Sequence, residues 1–276
     1  MFKAIKSKYV LSAALGCSLM LGACDNINED DRYIPVERPK VERKVLVQEF
    51  TGIRCINCPD AAALMHSLQE SYPSVIVVGI HPADHPFSQA ISKFSLATET
   101  GKEYFSFYNG NELPAAVVNS GSLNSNYNQW SSVALTELAK EAKLDIDVTP
   151  DYEANERNLI VDYKVKFNTV YSGDLSVLVW VIENDIIGPQ QTTSGREKEY
   201  NHSHVFRATL NGTWGDAIGS SFTTDQEVTG RCEILIPEEW KIENCQVVAF
   251  AFHKGSQSID VENAEIADAI PSSPVE

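Results

Sequence analysis

Two cysteines set two residues apart, Cys55-Ile56-Asn57-Cys58, are the pair in this chain best placed to do chemistry. The apolar run over residues 44–50 reads as a buried strand, and Thr51-Gly52 breaks it. Residues 60–72 then read as a helix, with Ala61, Leu64, Met65 and Leu68 spaced for one apolar face. A helix N-terminus stabilises a thiolate, and the adjacent Arg54 adds positive charge. Strand, turn, Cys-x-x-Cys and helix therefore predict a redox dithiol, with Cys55 as nucleophile and Cys58 resolving the mixed disulfide. In an oxidising compartment the same pair can serve as a permanent disulfide clamping the junction. The sequence leaves both readings open. The absence of a second Cys-x-x-Cys argues against zinc.

The elements that must hold this pair follow in order. Residues 74–81 form a continuous apolar run, as in a strand buried on both faces. Residues 88–108 read as largely helical, 113–118 as a third strand led by Pro114, and 130–142 as another amphipathic helix. This β-α-β-α-β-α order over residues 44–143 resembles the thioredoxin fold. The resemblance implies a cis Leu113–Pro114 bond beside the dithiol, with Pro114 as a ledge for an extended substrate. It also implies that Glu49, six residues before Cys55, is a buried carboxylate that exchanges the proton of Cys58. The chain departs from that pattern in having no Trp before Cys55, no Gly-Pro between the cysteines, and Leu before Pro114. Reduction potential and direction therefore do not carry over.

After residue 143 the pattern changes to short strands with turn signals at Pro150-Asp151, Gly173-Asp174, Asn211-Gly212 and Lys254-Gly255. Strands are expected at 144–149, 159–167, 175–183, 205–210, 221–228, 231–236 and 245–253. Together they predict an antiparallel β-sandwich over residues 144–270, with Trp180, Trp214 and Trp240 in its core or rim. Cys232 and Cys245, an even pair opening successive late strands, are expected to form a structural disulfide. His81 with His85, and His202 with His204, each offer two imidazoles, short of a ligand set, so no metal is expected. No Gly-rich phosphate loop is present, and no cofactor is expected.

The N-terminus reads as a targeting segment. Lys3, Lys6 and Lys8 precede a short apolar stretch over residues 10–21, and Leu21-Gly22-Ala23-Cys24 matches a bacterial lipobox. This predicts a signal peptide over residues 1–23, removed together with Cys17, and a lipid anchor on Cys24 that holds the protein to a membrane. Residues 24–43 read as a polar tether and 271–276 as a flexible tail. The composition is that of a globular protein, 43% hydrophobic and 22% charged. The formal net charge of -16 excludes nucleic acid as an expected partner.

The mature chain as a whole resembles the twenty-eight-kilodalton-type outer-membrane lipoproteins of Bacteroidetes. The marks are Glu49-Phe50-Thr51-Gly52-Ile53-Arg54-Cys55-Ile56-Asn57-Cys58-Pro59, then Tyr200-Asn201-His202-Ser203-His204-Val205-Phe206-Arg207-Ala208, Trp214-Gly215, Val247-Val248-Ala249-Phe250-Ala251-Phe252 and Val261-Glu262-Asn263-Ala264-Glu265. The resemblance implies an outer-membrane lipoprotein, periplasmic or surface facing, with a thioredoxin-like part (44–143) and an immunoglobulin-like part (144–270). Two functions fit. One is a thiol-disulfide oxidoreductase, or redox-linked accessory, acting on a protein disulfide. The other is a non-catalytic binding or adhesion lipoprotein with a structural disulfide and a protein partner.

Overall fold

A computed structural model describes residues 42–270 of the chain. Signal peptide, Cys24, most of the tether and the 271–276 tail lie outside the described residues. The described elements are β1 (Val45–Phe50), α1 (Cys58–Ser71), β2 (Val75–Ile80), α2 (Glu99–Phe107), β3 (Ala115–Val118), α3 (Trp130–Leu138), β4 (Leu144–Glu153), β5 (Asn158–Phe167), β6 (Tyr171–Glu183), β7 (Ile186–Thr192), β8 (Gly195–His202), β9 (Val205–Thr209), β10 (Asp216–Phe222), β11 (Glu227–Leu235), β12 (Cys245–Lys254) and β13 (Ile259–Asp268). The protein is mostly β-sheet with few helices.

One large sheet dominates, in the order β13-β12-β6-β9-β2-β1-β3, with β10 also paired to β6. A second sheet, β11-β5-β4, packs against part of it, and β7 and β8 form a separate two-stranded hairpin. The main sheet runs across the boundary expected at residue 143. The join is narrow: β2 meets β9 in parallel at Gly79 and Val205 alone, while β9 pairs antiparallel with β6. The described residues all lie within one compact unit.

Side-chain alternation explains the layers. In β6 and β12, Val177, Val179, Val181, Val247, Ala249 and Ala251 face the second sheet, where β5 alternates buried and half-buried residues. The opposite face carries Leu178, Trp180, Ile182, Val248 and Phe250. These share one core with Leu46 and Phe50 of β1, Ile76 and Val78 of β2, and Tyr104 and Phe105 of α2. Where β6 is covered on both faces, from Val177 to Ile182, its sequence is continuously apolar. The far face of β1, β2 and β3 is covered by α1 and α3, through Ala61, Met65, Trp130 and Ala134. At the start of the unit, Arg43 lies 3.6 Å from Glu137 and donates to the carbonyl of Val261 at 3.1 Å, tying the chain entry to α3 and β13.

Three expectations are corrected. The helix expected over 88–108 is confined to α2, because Thr98 caps it by accepting from the Gly101 backbone N–H at 3.0 Å. The strand expected over 221–228 is split, with β10 ending at Phe222 and β11 starting at Glu227. The disulfide expected between Cys232 and Cys245 is not formed, and both are free and buried. The strands they sit on are not neighbours: β11 pairs with β5 in the second sheet, and β12 lies between β6 and β13 in the main sheet. The two thiols face the core between the sheets, where burial pushes each up to about 12.

Candidate functional site

Every residue of β1 is buried, which carries Glu49 into the interior one residue before the strand ends. β1 pairs with β2 through Glu49–Gly79 and with β3 through Glu49–Ala116. Oε1 of the carboxyl has no hydrogen-bond partner. Burial alone pushes the group up to about 8, so it holds its proton at neutral pH.

Past β1 the chain turns through Thr51 and Gly52 into the dithiol. Gly52 is required by a close approach: a Cβ there would lie 2.4 Å from the carbonyl oxygen of Phe87. Cys58 opens α1, and Pro59 occupies its first turn, where a proline removes no helical hydrogen bond. Cys55 and Cys58 are joined in a disulfide. Their relative exposures are 3% and 2%, so neither sulfur is presented on an open surface. The bond between Leu113 and Pro114 is cis. It leads into β3, whose Ala115 pairs with Phe50, so Pro114 lies at the end of the sheet from which the dithiol loop departs.

Two segments close over that loop. From one side, the Arg54 backbone N–H donates to Phe87 O at 2.8 Å, and Ser88 Oγ donates to Thr51 O at 3.1 Å. The Arg54 guanidinium donates to the Gln89 carbonyl at 2.9 Å, so it is held on backbone oxygens. From the other side, β7 supplies a clamp. Gln191 N donates to Ile53 O at 2.8 Å, and buried Gln190 Nε2 donates to Cys55 O at 3.0 Å and Gly52 O at 3.2 Å. Releasing that clamp has an expected outcome. Gln190→Ala, which deletes the side-chain bonds, is expected to speed reduction of the native disulfide by a soluble phosphine about tenfold, the equivalent of ~1.4 kcal/mol of local opening. The rate is read by mass spectrometry after thiol alkylation.

Behind the disulfide, the chain from β8 into β9 faces α1 across a cavity of about 430 Å³, lined by residues including Glu49, Cys58, His66, His81, Gln190, His202 and His204. The structure thus gathers four of the six histidines at one place, from segments the sequence reading kept apart. His81 and His202 have ring centroids 6.4 Å apart. Burial, with His202 and Arg207 nearby, lowers His81 to about 3, and burial lowers His202 to about 4. Among the described residues no three His, Cys, Asp or Glu side chains converge as metal ligands. His85 stands apart, its Nδ1 accepting from Phe87 N at 3.2 Å. The sequence reading missed Gln190 and the hairpin that carries it. The one local signal was the turn at Gly195.

These features define a β-rich protein with a buried disulfide at a strand-to-helix junction, a cis-proline and an unpaired buried carboxyl on the strand that leads into it. The chain belongs to the family described as outer membrane protein Omp28, whose pattern matches residues 101–269, from α2 to β13. That places it in an outer-membrane family, and leaves Glu49, Cys55 and Cys58 outside the matched stretch. None of the curated proteins compared matches the chain in sequence. Among solved structures, HBP35 of Porphyromonas gingivalis shares the fold, with a TM-score of 0.66 at 15% identity over 87% of this chain and 80% of that one. A domain of the outer membrane lipoprotein Omp28 from the same organism is 19% identical over 49% of this chain and 93% of that one, with a TM-score of 0.31. Among the described residues no helix is long and apolar enough to cross a membrane.

Proposed function

We propose that this outer-membrane protein is held by a lipid on Cys24 and carries a thiol-disulfide exchange centre at Cys55–Cys58. Residues 44–143 are read as a thioredoxin-like unit and 144–270 as an immunoglobulin-like sandwich fused to it through the main sheet. The observation that carries the reading is Glu49. A purely structural disulfide has no use for a carboxyl that is buried, unpaired and held protonated on the strand leading into it. In the reduced protein, the Cys55 thiolate attacks one sulfur of a substrate disulfide and expels the other as a thiolate. The ionised fraction of Glu49, which grows as pH rises towards about 8, then takes the Cys58 proton. The Cys58 thiolate attacks Cys55 Sγ, releasing the second substrate thiolate and forming the Cys55–Cys58 bond. A thiol reductant of the envelope returns the pair to the dithiol. Pro114 supplies the ledge on which a protein substrate lies.

The test is Cys58→Ser, which blocks resolution. The expected result is a mixed disulfide on Cys55, separable by non-reducing electrophoresis from envelope extracts and lost with Cys55→Ser. The second reading, a structural disulfide in a non-catalytic binding lipoprotein, is favoured by the 3% and 2% exposures and by the Gln190 clamp. An absence of adducts on Cys58→Ser, together with a native disulfide that resists excess dithiothreitol until the protein unfolds, would establish that second reading. Cys24→Ser is expected to move the protein from the membrane pellet to the soluble fraction.

A further inference from the structure

The cavity behind the disulfide is lined by acidic and neutral groups, and the nearby Arg207, outside the lining, is paired with Glu183 at 3.2 Å. The lining includes Glu49, Glu197, His81 and His202, and among the described residues that line it there is no lysine or arginine. Three of these groups, each more than nine-tenths buried, have a polar atom with no partner: Glu49 Oε1, His81 Nδ1 and His202 Nε2. His202 bonds backbone at Gly188 and Pro189, and His81 bonds backbone at Gly79. One nitrogen of each ring is left without a partner. Both imidazoles are neutral at physiological pH, so neither opposes an incoming positive charge. Unmade hydrogen bonds at buried polar atoms destabilise a fold by about 1–3 kcal/mol each, and three in the lining of one cavity favour a ligand that can satisfy them.

We propose that this cavity binds a small organic cation, an ammonium head on a short alkyl chain, whose N–H groups donate to the Glu49 carboxylate, with the neutral imidazoles of His81 and His202 lining the same space. An ammonium has three donors and no acceptor, which suits a buried carboxylate oxygen left without a partner. Ala62 and Ala63 of α1 provide an apolar wall for the alkyl stem, and exposed Glu197 stands at the lining on the hairpin side. As the cation seats, the Glu49 proton leaves to bulk water and the carboxylate pairs with the ammonium, so charge is conserved within the site. Two imidazoles and a carboxyl also suit a transition-metal ion, but among the described residues no three His, Cys, Asp or Glu side chains converge as metal ligands. The site stands whether or not the dithiol turns over.

The experiment is titration calorimetry on the full chain in its disulfide form, with n-butylamine as probe and n-butanol as its uncharged isostere. Binding of the amine in the millimolar range or tighter is expected, with release of one proton detected by comparing buffers of different ionisation enthalpy. Glu49→Gln is expected to weaken it by about tenfold or more, and Glu197→Gln, an exposed change that cannot disturb folding, by about threefold. Butanol is expected to give no heat. Equal binding of amine and alcohol, an unchanged affinity in Glu49→Gln, no heat with amine up to about 10 mM, or binding of Zn²⁺ without amine binding overturns the proposal. Should Glu49→Gln fold poorly, Glu197→Gln decides alone: weakening supports the site and unchanged affinity removes it.

Discussion

Glu49→Gln is expected to make the protein more stable at neutral and alkaline pH, while slowing any exchange chemistry at the dithiol. The unfolded chain releases the Glu49 proton near pH 4.5, whereas the folded protein holds it to about 8. Between those values the native state binds more protons than the unfolded state. Stability therefore falls as pH rises, and levels off above about 8. At pH 7 the loss is about 3 kcal/mol, from 1.36 kcal/mol per unit over the interval between the unfolded value and the solution pH. Glutamine keeps the volume and removes the titration. Part of the gain is offset by a buried amide with few partners, so the net stabilisation at pH 8 is roughly 2–3 kcal/mol, with little or none at pH 4.5. Denaturant midpoints across pH 4–9 read this directly, and parallel profiles for variant and parent would refute it. The chemistry has the opposite sign. Resolution needs ionised Glu49 to take the Cys58 proton, so the rate in the parent rises with pH towards about 8. In the variant the profile follows the Cys58 thiol alone and lies lower at pH 7. A group that costs stability where it accelerates exchange is a functional group; a stability gain with no kinetic change would assign Glu49 to ligand binding alone.

How much of this could be read beforehand depended on how local each feature is. β2, β6 and β12 announce themselves, because strands covered on both faces must be continuously apolar. The strand-to-helix junction at Cys58 and the proline before β3 are equally local. The β7–β8 hairpin is not. Its residues are mostly exposed or half-buried, so selection for a buried face leaves little alternation to detect. Yet it carries Gln190, which holds the dithiol loop. β13 escaped for a related reason: Asp260, Glu262, Glu265 and Asp268 interrupt its apolar positions, although Val261 and Ala264 are buried. The Cys232–Cys245 pairing failed because sheet membership is decided by partners far along the chain. β11 follows β10 closely in sequence and still joins the other sheet. The four-histidine cavity has the same origin. His81 and His202 are brought near each other by the single parallel pairing of Gly79 with Val205, which no local pattern encodes.

Trp180→Ala tests whether that narrow join makes one folding unit, and it is expected to destabilise the whole protein by about 4 kcal/mol. Trp180 is fully buried on β6, beyond residue 143, yet it packs against α2 from before that boundary. Its ring lies 5.4 Å from Tyr104 and 4.7 Å from Phe250, and its Nε1 donates to the Tyr104 hydroxyl at 3.1 Å. That hydroxyl in turn donates to Thr213 O at 2.7 Å. Truncation removes a large buried apolar side chain that spans the two halves and opens a cavity that a β-strand, fixed by pairing on both sides, cannot collapse. Trp180→Phe keeps most of the area and loses the hydrogen bond, so about 1–2 kcal/mol is expected. For a chain of this size, 4 kcal/mol lowers Tm by roughly 10 °C. The decisive readout is which signals move. If the core around Trp180 couples the halves, the far-ultraviolet signal and the reducibility of Cys55–Cys58 shift together in a single transition. Two transitions, with the disulfide segment unshifted by Trp180→Ala, would mean that the sheet is continuous in hydrogen bonds but that its two halves unfold independently.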